Sequence, residues 1–186
     1  MSSTTGIDLS NAPTTIETGV KGVTVTFLRD SPWVARVEGT GETEFEAPLH
    51  YHETHDEMFR IIKGRLEYTL GTETKIYTPE DGEISIPRGT LHGVKSLAGE
   101  AFIVEEKTTP MDGSKEVFFR NLFSLDGPNS SIVAVMQVYY WGDCYPVMPS
   151  GLRWLEKPFT AVLGNWLAPV LGHKLAYDSS KAKKRA

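Results

Sequence analysis

The run His50-Tyr51-His52-Glu53-Thr54-His55-Asp56-Glu57 places three of the chain's five histidines within six residues. Side chains two apart on a strand share a face, so His50 and His52 can converge on one ion. Glu57 has the opposite parity. A turn or bulge in the polar stretch 53–56 resets that parity and brings Glu57 inward. Downstream, His92 follows the tight-turn sequence Pro87-Arg88-Gly89 and can supply a fourth donor. Three imidazoles and one carboxylate make a mixed N/O set suited to Fe, Mn, Ni, Cu or Zn. With four protein ligands, a further ligand fits only at five- or six-coordination. Octahedral Mn, Fe or Ni permits that, whereas a four-ligand zinc is more often closed and structural.

Around this run the chain has the texture of a β-protein. Short β-type stretches at 23–28, 33–37, 57–62, 65–70, 75–78, 83–86, 90–95 and 101–107 are separated by Gly- and Pro-rich turns. Strands at such spacing, with no 10–15-residue helical pattern between them, predict an antiparallel sandwich or barrel rather than a doubly wound α/β fold. The spacing predicts a short helix over 116–125 and one more strand over 132–140. The expected organisation is a loose arm over 1–18, a barrel domain over 19–145, and a C-terminal helical, apolar segment with a basic tail over 146–186.

Two motifs carry a resemblance to a known family. His50-x-His52-x(4)-Glu57-x(6)-Gly64 resembles the first motif of the cupin superfamily, and Gly82-x(4)-Pro87-x-Gly89-x(2)-His92 resembles the second. The departures are Glu44 where the first motif opens on glycine, one residue fewer before Pro87, and Ser96 in place of a final asparagine. They touch turn geometry rather than ligands. The resemblance implies an all-β fold: a double-stranded β-helix (jelly-roll) barrel with a short C-terminal helical extension. It also implies one divalent transition metal inside, held by His50, His52, Glu57 and His92, and a homodimer as the assembly. Cupins with this ligand set include dioxygenases and relatives that use the metal as a Lewis acid for isomerase, cyclase or lyase chemistry. Single-domain cupins of this size also resemble tailoring enzymes of secondary metabolism, and some cupins are non-enzymatic binding modules. The 2-oxoglutarate oxygenases share the barrel, but use a His-x-Asp/Glu pair where this chain has His-x-His.

With Glu57 inward, parity turns Phe59 and Ile61 inward too. From His92 the same rule gives Val94 and Ser96. Phe102, Val104, Met136 and Tyr139 are candidates from later strands. These residues describe an apolar, partly aromatic pocket suited to a small organic substrate, such as a phenolic or enolisable metabolite. The alternative is that they only pack the barrel. His55 is either an exposed turn residue, or a partner that supports the ligands, or a general acid/base near the mouth of the site, and with Glu57 it is the catalytic candidate. Arg60 lies on the outward parity, on an expected solvated face.

Charge is unevenly spread. The 186 residues carry a net charge of -5. Residues 153–186 hold seven basic and two acidic side chains, net +5, which leaves -10 for residues 1–152. An acidic body argues against nucleic acid as a partner. The single cysteine, Cys144, cannot form an internal disulfide, and the first ten residues show neither a basic start nor an apolar run. A reducing, cytoplasmic location is therefore expected. The stretch 158–173 has no charged side chain apart from its terminal histidine and is too short to span a bilayer as a helix. It reads either as a helix packed on the barrel or across a dimer, or as a membrane-surface element with Trp154 and Trp166 at the interface.

Overall fold

The computed structural model describes residues 9–125, 130–148 and 152–178. Its strands are β1 (Thr15–Glu17), β2 (Val23–Phe27), β3 (Ala35–Gly39), β4 (Glu46–Tyr51), β5 (Asp56–Lys63), β6 (Leu66–Leu70), β7 (Glu73–Tyr77), β8 (Glu83–Ile86), β9 (His92–Ser96), β10 (Phe102–Thr109) and β11 (Tyr145–Pro146). They form two antiparallel sheets, ordered β1-β2-β3-β10-β5-β8 and β11-β4-β9-β6-β7. The interleaving of distant strands is that of a jelly-roll barrel, as the motifs imply. Alternating burial along β2, β3 and β5 puts Val23, Val25, Phe27, Ala35, Val37, Phe59 and Ile61 between the sheets. Part of the stretch expected as a loose arm, Thr15–Glu17, pairs with β2 at the edge of the larger sheet, and residues 1–8 lie outside the described residues.

Helices close one end of the barrel. The first, α1 (Ser114–Leu122), falls where a helix is predicted. The second, α2 (Ile132–Trp141), corrects the expected strand over 132–140. Its sequence, IVAVMQVYYW, is β-branched and aromatic, but it is apolar on every side and packed between barrel and C-terminal segment, where tertiary burial overrides local propensity. Ser131 caps it, its Oγ accepting from the backbone N–H of Ala134 at 3.1 Å. Beyond β11, α3 (Arg153–Ala161), a π-helical stretch (Val162–Leu167) and α4 (Ala168–Val170) make one helical run.

Arg60 does point outward, but it is engaged. Glu105 on β10 stands in register between Arg36 on β3 and Arg60 on β5. Its Oε1 accepts from Arg36 Nη2 and its Oε2 from Arg60 Nη2, each at 2.7 Å. The Arg60 guanidinium also covers the ring of the buried Trp33 at 4.5 Å. Burial of Glu105 works against ionisation, but the two arginines overcome it and hold its carboxyl below the usual range. A depressed carboxyl contributes stability that is present above the unfolded value and is lost as pH falls through the folded one. Glu105→Gln is expected to cost about 2 kcal/mol at neutral pH, less than a fully buried broken pair, because both guanidinium groups keep access to water. Denaturant melts at neutral and acid pH check this: the difference between wild type and variant should shrink on acidification.

Candidate metal centre

The four predicted ligands meet. One donor atom from each of His50, His52, Glu57 and His92 lies within 4.8 Å of the others. His50 and His92 are register partners on the adjacent strands β4 and β9. The register shift between Ala47 and His50 bulges β4 immediately before its ligands. His52 follows β4, and the bend at 53–55 restores the parity that turns Glu57, on β5 of the facing sheet, into the barrel. Three imidazoles thus come from one side and the carboxylate from the other.

Hydrogen bonding fixes the rings. The Nδ1 atoms of His50, His52 and His92 lie 2.8, 2.6 and 2.9 Å from the carbonyl oxygens of Pro48, Asp143 and Thr90 respectively. A carbonyl only accepts, so each Nδ1 carries the proton, and a neutral ring keeps its Nε2 lone pair free for a metal. Burial, with the neighbouring His92 and His52, pushes His50 down to about 3, which keeps it neutral. His52 Nε2 faces Glu57 Oε2 at 2.9 Å, and His92 Nε2 is buried with no hydrogen-bond partner. Two lone pairs at that separation are stable only with a proton or cation between them. The donor set therefore fits a divalent transition metal.

Two further charges adjoin the cluster. Lys115 Nζ, at the start of α1, lies 3.1 Å from Glu57 Oε2 and 2.8 Å from Glu106 Oε2. Burial alone would raise the Glu57 carboxyl, but Lys115 first, and then the adjoining imidazoles of His52 and His92, hold it well below the carboxylate range. Burial and the Glu57 charge lift Glu106 to about 7, against the opposing pull of Lys115. Sequence reasoning missed both residues. Glu106 was within reach, since it continues the inward parity of Phe102 and Val104; Lys115 carries no local signal.

His55 is buried and stands apart from the four ligands. Its Nδ1 donates to Asp143 Oδ2 at 2.9 Å, and its Nε2 lies 3.3 Å from Asp112 Oδ2. Burial disfavours its charge, but the two carboxylates prevail and lift it to about 9. His55 thus sits in a buried ion-pair cluster, which corrects the expectation of an exposed turn residue, and it pairs with the residue whose carbonyl holds His52. Asp143, also missed, anchors the whole turn. Its carboxylate accepts from the backbone N–H groups of Glu53 and Thr54, at 3.2 and 2.8 Å, and from His55. It does this at φ 54°, in the left-handed region, which aspartate tolerates better than most residues.

A cavity of about 300 Å³ opens on the cluster, lined by His50, Glu57 and His92 together with Lys115 and Glu106. Its apolar wall comes mainly from Phe45, Tyr68, Phe118, Phe119, Leu122 and Phe123. Of the predicted pocket residues, Val94 and Tyr139 line it, as does Val104. Phe59, Ile61, Phe102 and Met136 are buried in the core instead. Phe59 stacks flat behind Tyr68, with ring centroids 3.7 Å apart, so Tyr68 presents the face. Phe102 lies over Gly39, where a Cβ would come 2.2 Å from its ring. On α2, helical spacing turns Val135 and Tyr139 to the cavity and leaves Met136 off that face.

Comparison with known proteins agrees with this geometry. Residues 39–105 match the family model described as Cupin domain. An oxidoreductase of Arthrobotrys oligospora is 26% identical over 150 residues, covering 74% of this chain and 57% of that protein. The epoxidase atD of Aspergillus terreus is 24% identical over 141 residues, covering 68% of this chain and 44% of that protein. The chain thus spans about half the length of these relatives. Among solved structures, the polyketide cyclase RemF of Streptomyces resistomycificus is 25% identical, with a TM-score of 0.38 over 48% of this chain and 67% of that one. The family match falls on the strands that carry all four converging donors, and residues 39–105 of this chain are a cupin domain.

Proposed function

We propose that the chain is a metal-dependent cupin oxidoreductase that acts on a small phenolic or enolisable organic molecule by dioxygenase-type chemistry. The observation that carries this reading is the convergence of three imidazoles and one carboxylate beside a mostly apolar cavity that His50, Glu57 and His92 line. The names of the relatives, an oxidoreductase and an epoxidase, support the oxidative class.

The residues have distinct tasks in this reading. His50, His52, His92 and Glu57 hold the ion, and the carbonyls of Pro48, Asp143 and Thr90 keep the imidazoles in one tautomer. A bound transition metal would supply Lewis acidity toward a phenolate or enolate oxygen and, for iron or copper, a route for electrons. Lys115 balances the charge of Glu57, and Glu106, raised to about 7, is only partly ionised at neutral pH, which lessens the repulsion of an anionic oxygen. Phe118, Phe119 and Leu122 from α1 exclude water and hold the apolar body of the substrate.

Elemental analysis of the purified protein, followed by oxygen-electrode traces with a panel of phenols and 1,3-dicarbonyl compounds, tests the proposal. Bound iron or copper with substrate-dependent oxygen uptake is the expected result. Stoichiometric zinc, with substrate turnover but no oxygen uptake, would overturn the oxidative reading in favour of Lewis-acid chemistry.

A further inference from the structure

The C-terminal helical run buries polar residues in its first half and small ones in its second, and turns its large apolar residues outward. Glu156, Thr160, Gly164 and Ala168, spaced by four, are its buried positions. At Gly164 the backbones touch: a Cβ there would sit 2.2 Å from the carbonyl oxygen of Met136 on α2. The outward side carries Trp154 and Trp166, each 71% exposed, with Val162 at 53% and Val170 at 81%. These four also recur at multiples of four, so they form a stripe along the run, and Phe159, Leu167 and Leu171 widen it.

A helix bounded by water on its outer side has the reverse arrangement, with large apolar residues in and polar residues out. Polar and small residues against protein and large apolar ones outward is the pattern of helices whose outer side meets lipid. The run is eighteen residues long. That gives about 27 Å as a helix, just short of a hydrocarbon core, and no helix among the described residues is long and apolar enough to cross a membrane. Such a helix lies along a surface. Charge points the same way: Arg153 and Lys174 flank the apolar stripe and are exposed, while Lys157 pairs with Glu53. The sequence adds Lys181, Lys183, Lys184 and Arg185, which lie outside the described residues. The remainder of the chain is acidic, so a negative surface would attract this side and repel the barrel, fixing the orientation.

We propose that this face docks on an anionic phospholipid bilayer, with the helix in the interfacial layer and Trp154 and Trp166 among the headgroups. A second copy of the chain is the less suited occupant, since a two-fold contact would set the basic flank against itself. The inference is independent of the metal centre.

Flotation of the full chain with vesicles of phosphatidylcholine containing about one-third phosphatidylserine, and with phosphatidylcholine alone, tests it. The protein should float with the anionic vesicles and show a blue-shifted tryptophan emission, and both effects should weaken as salt is raised. The double variant Trp154→Ser/Trp166→Ser should bind about tenfold less or weaker still, with an unchanged melting curve because both side chains are exposed. Absence of flotation with either vesicle overturns the proposal. So does a protein that ignores vesicles but sediments as a dimer, which the same double variant turns into a monomer; that result would assign the face to a second copy.

Discussion

His92→Ala is expected to yield a folded protein that no longer retains metal through purification and has no detectable turnover. His92 is buried, and its Nε2 makes no hydrogen bond among the described residues and stands 3.5 Å from Glu57 Oε2, so that lone pair is put to use when an ion is bound. Complete four-ligand sites bind with about 10–16 kcal/mol, so one ligand is worth roughly 3 kcal/mol, or two orders of magnitude in affinity. Thermal melts separate loss of metal from loss of fold. Metal should raise the melting temperature of the wild type and leave that of the variant unmoved, while the metal-free proteins melt close together. Full metal occupancy in His92→Ala would remove this residue from the ligand set and with it the proposed centre.

The second large effect is expected far from the motif. Asp143→Ala should cost about 3 kcal/mol of stability, because it leaves the buried His55 imidazolium with Asp112 alone and strips two half-buried turn N–H groups of their acceptor. It should also weaken metal binding about 10–100-fold, the range typical when a group that orients a ligand is lost. The carbonyl of Asp143 still receives His52 Nδ1, so affinity falls through loosening of the turn rather than loss of a ligand. Asp143→Gly separates the causes. It removes the carboxylate but suits the left-handed backbone, so about 1 kcal/mol of the loss should return. Denaturant melts and calorimetric metal titrations read the two quantities; a wild-type affinity in both variants would show that the turn holds its shape unaided.

How much of this was legible in the sequence depended on range. Strand alternation is local, and together with a turn at 53–56 it placed Glu57, Phe59 and Ile61 inside the barrel beside His50 and His52, while His92 came from the turn sequence before it and the motif resemblance. The bend at 53–55 was legible too, because a polar run between two ligands of opposite parity has to turn. Distant partners were not. Nothing near Asp143 announces that it anchors a turn on the other side of the motif, and nothing near Lys115 announces Glu57. The helix α2 was misread because its apolar residues satisfy the strand pattern as well as a fully buried helix does, although Ser131 was present as a capping signal. That error propagated to the pocket. A strand at 132–140 and a helix there place different side chains on one wall, and most of the apolar lining comes from helices that close the barrel rather than from strand parity.

The division of the ligands between the sheets has a mechanical consequence. Glu57 rides on β5, and the three imidazoles on or beside β4 and β9, so a bound ion ties the two walls together as a crossbar ties a frame. Its grip depends on a spacing set by residues that never touch it, such as the stacked Phe59 and Tyr68 wedged between the walls. Interior substitutions that let the walls drift would be felt as lost affinity, because a close-packed interior transmits small displacements. Changes on the outer face, such as the Arg36–Glu105–Arg60 ladder, act within a single sheet. They would loosen the frame's own members without altering the span that the crossbar must bridge.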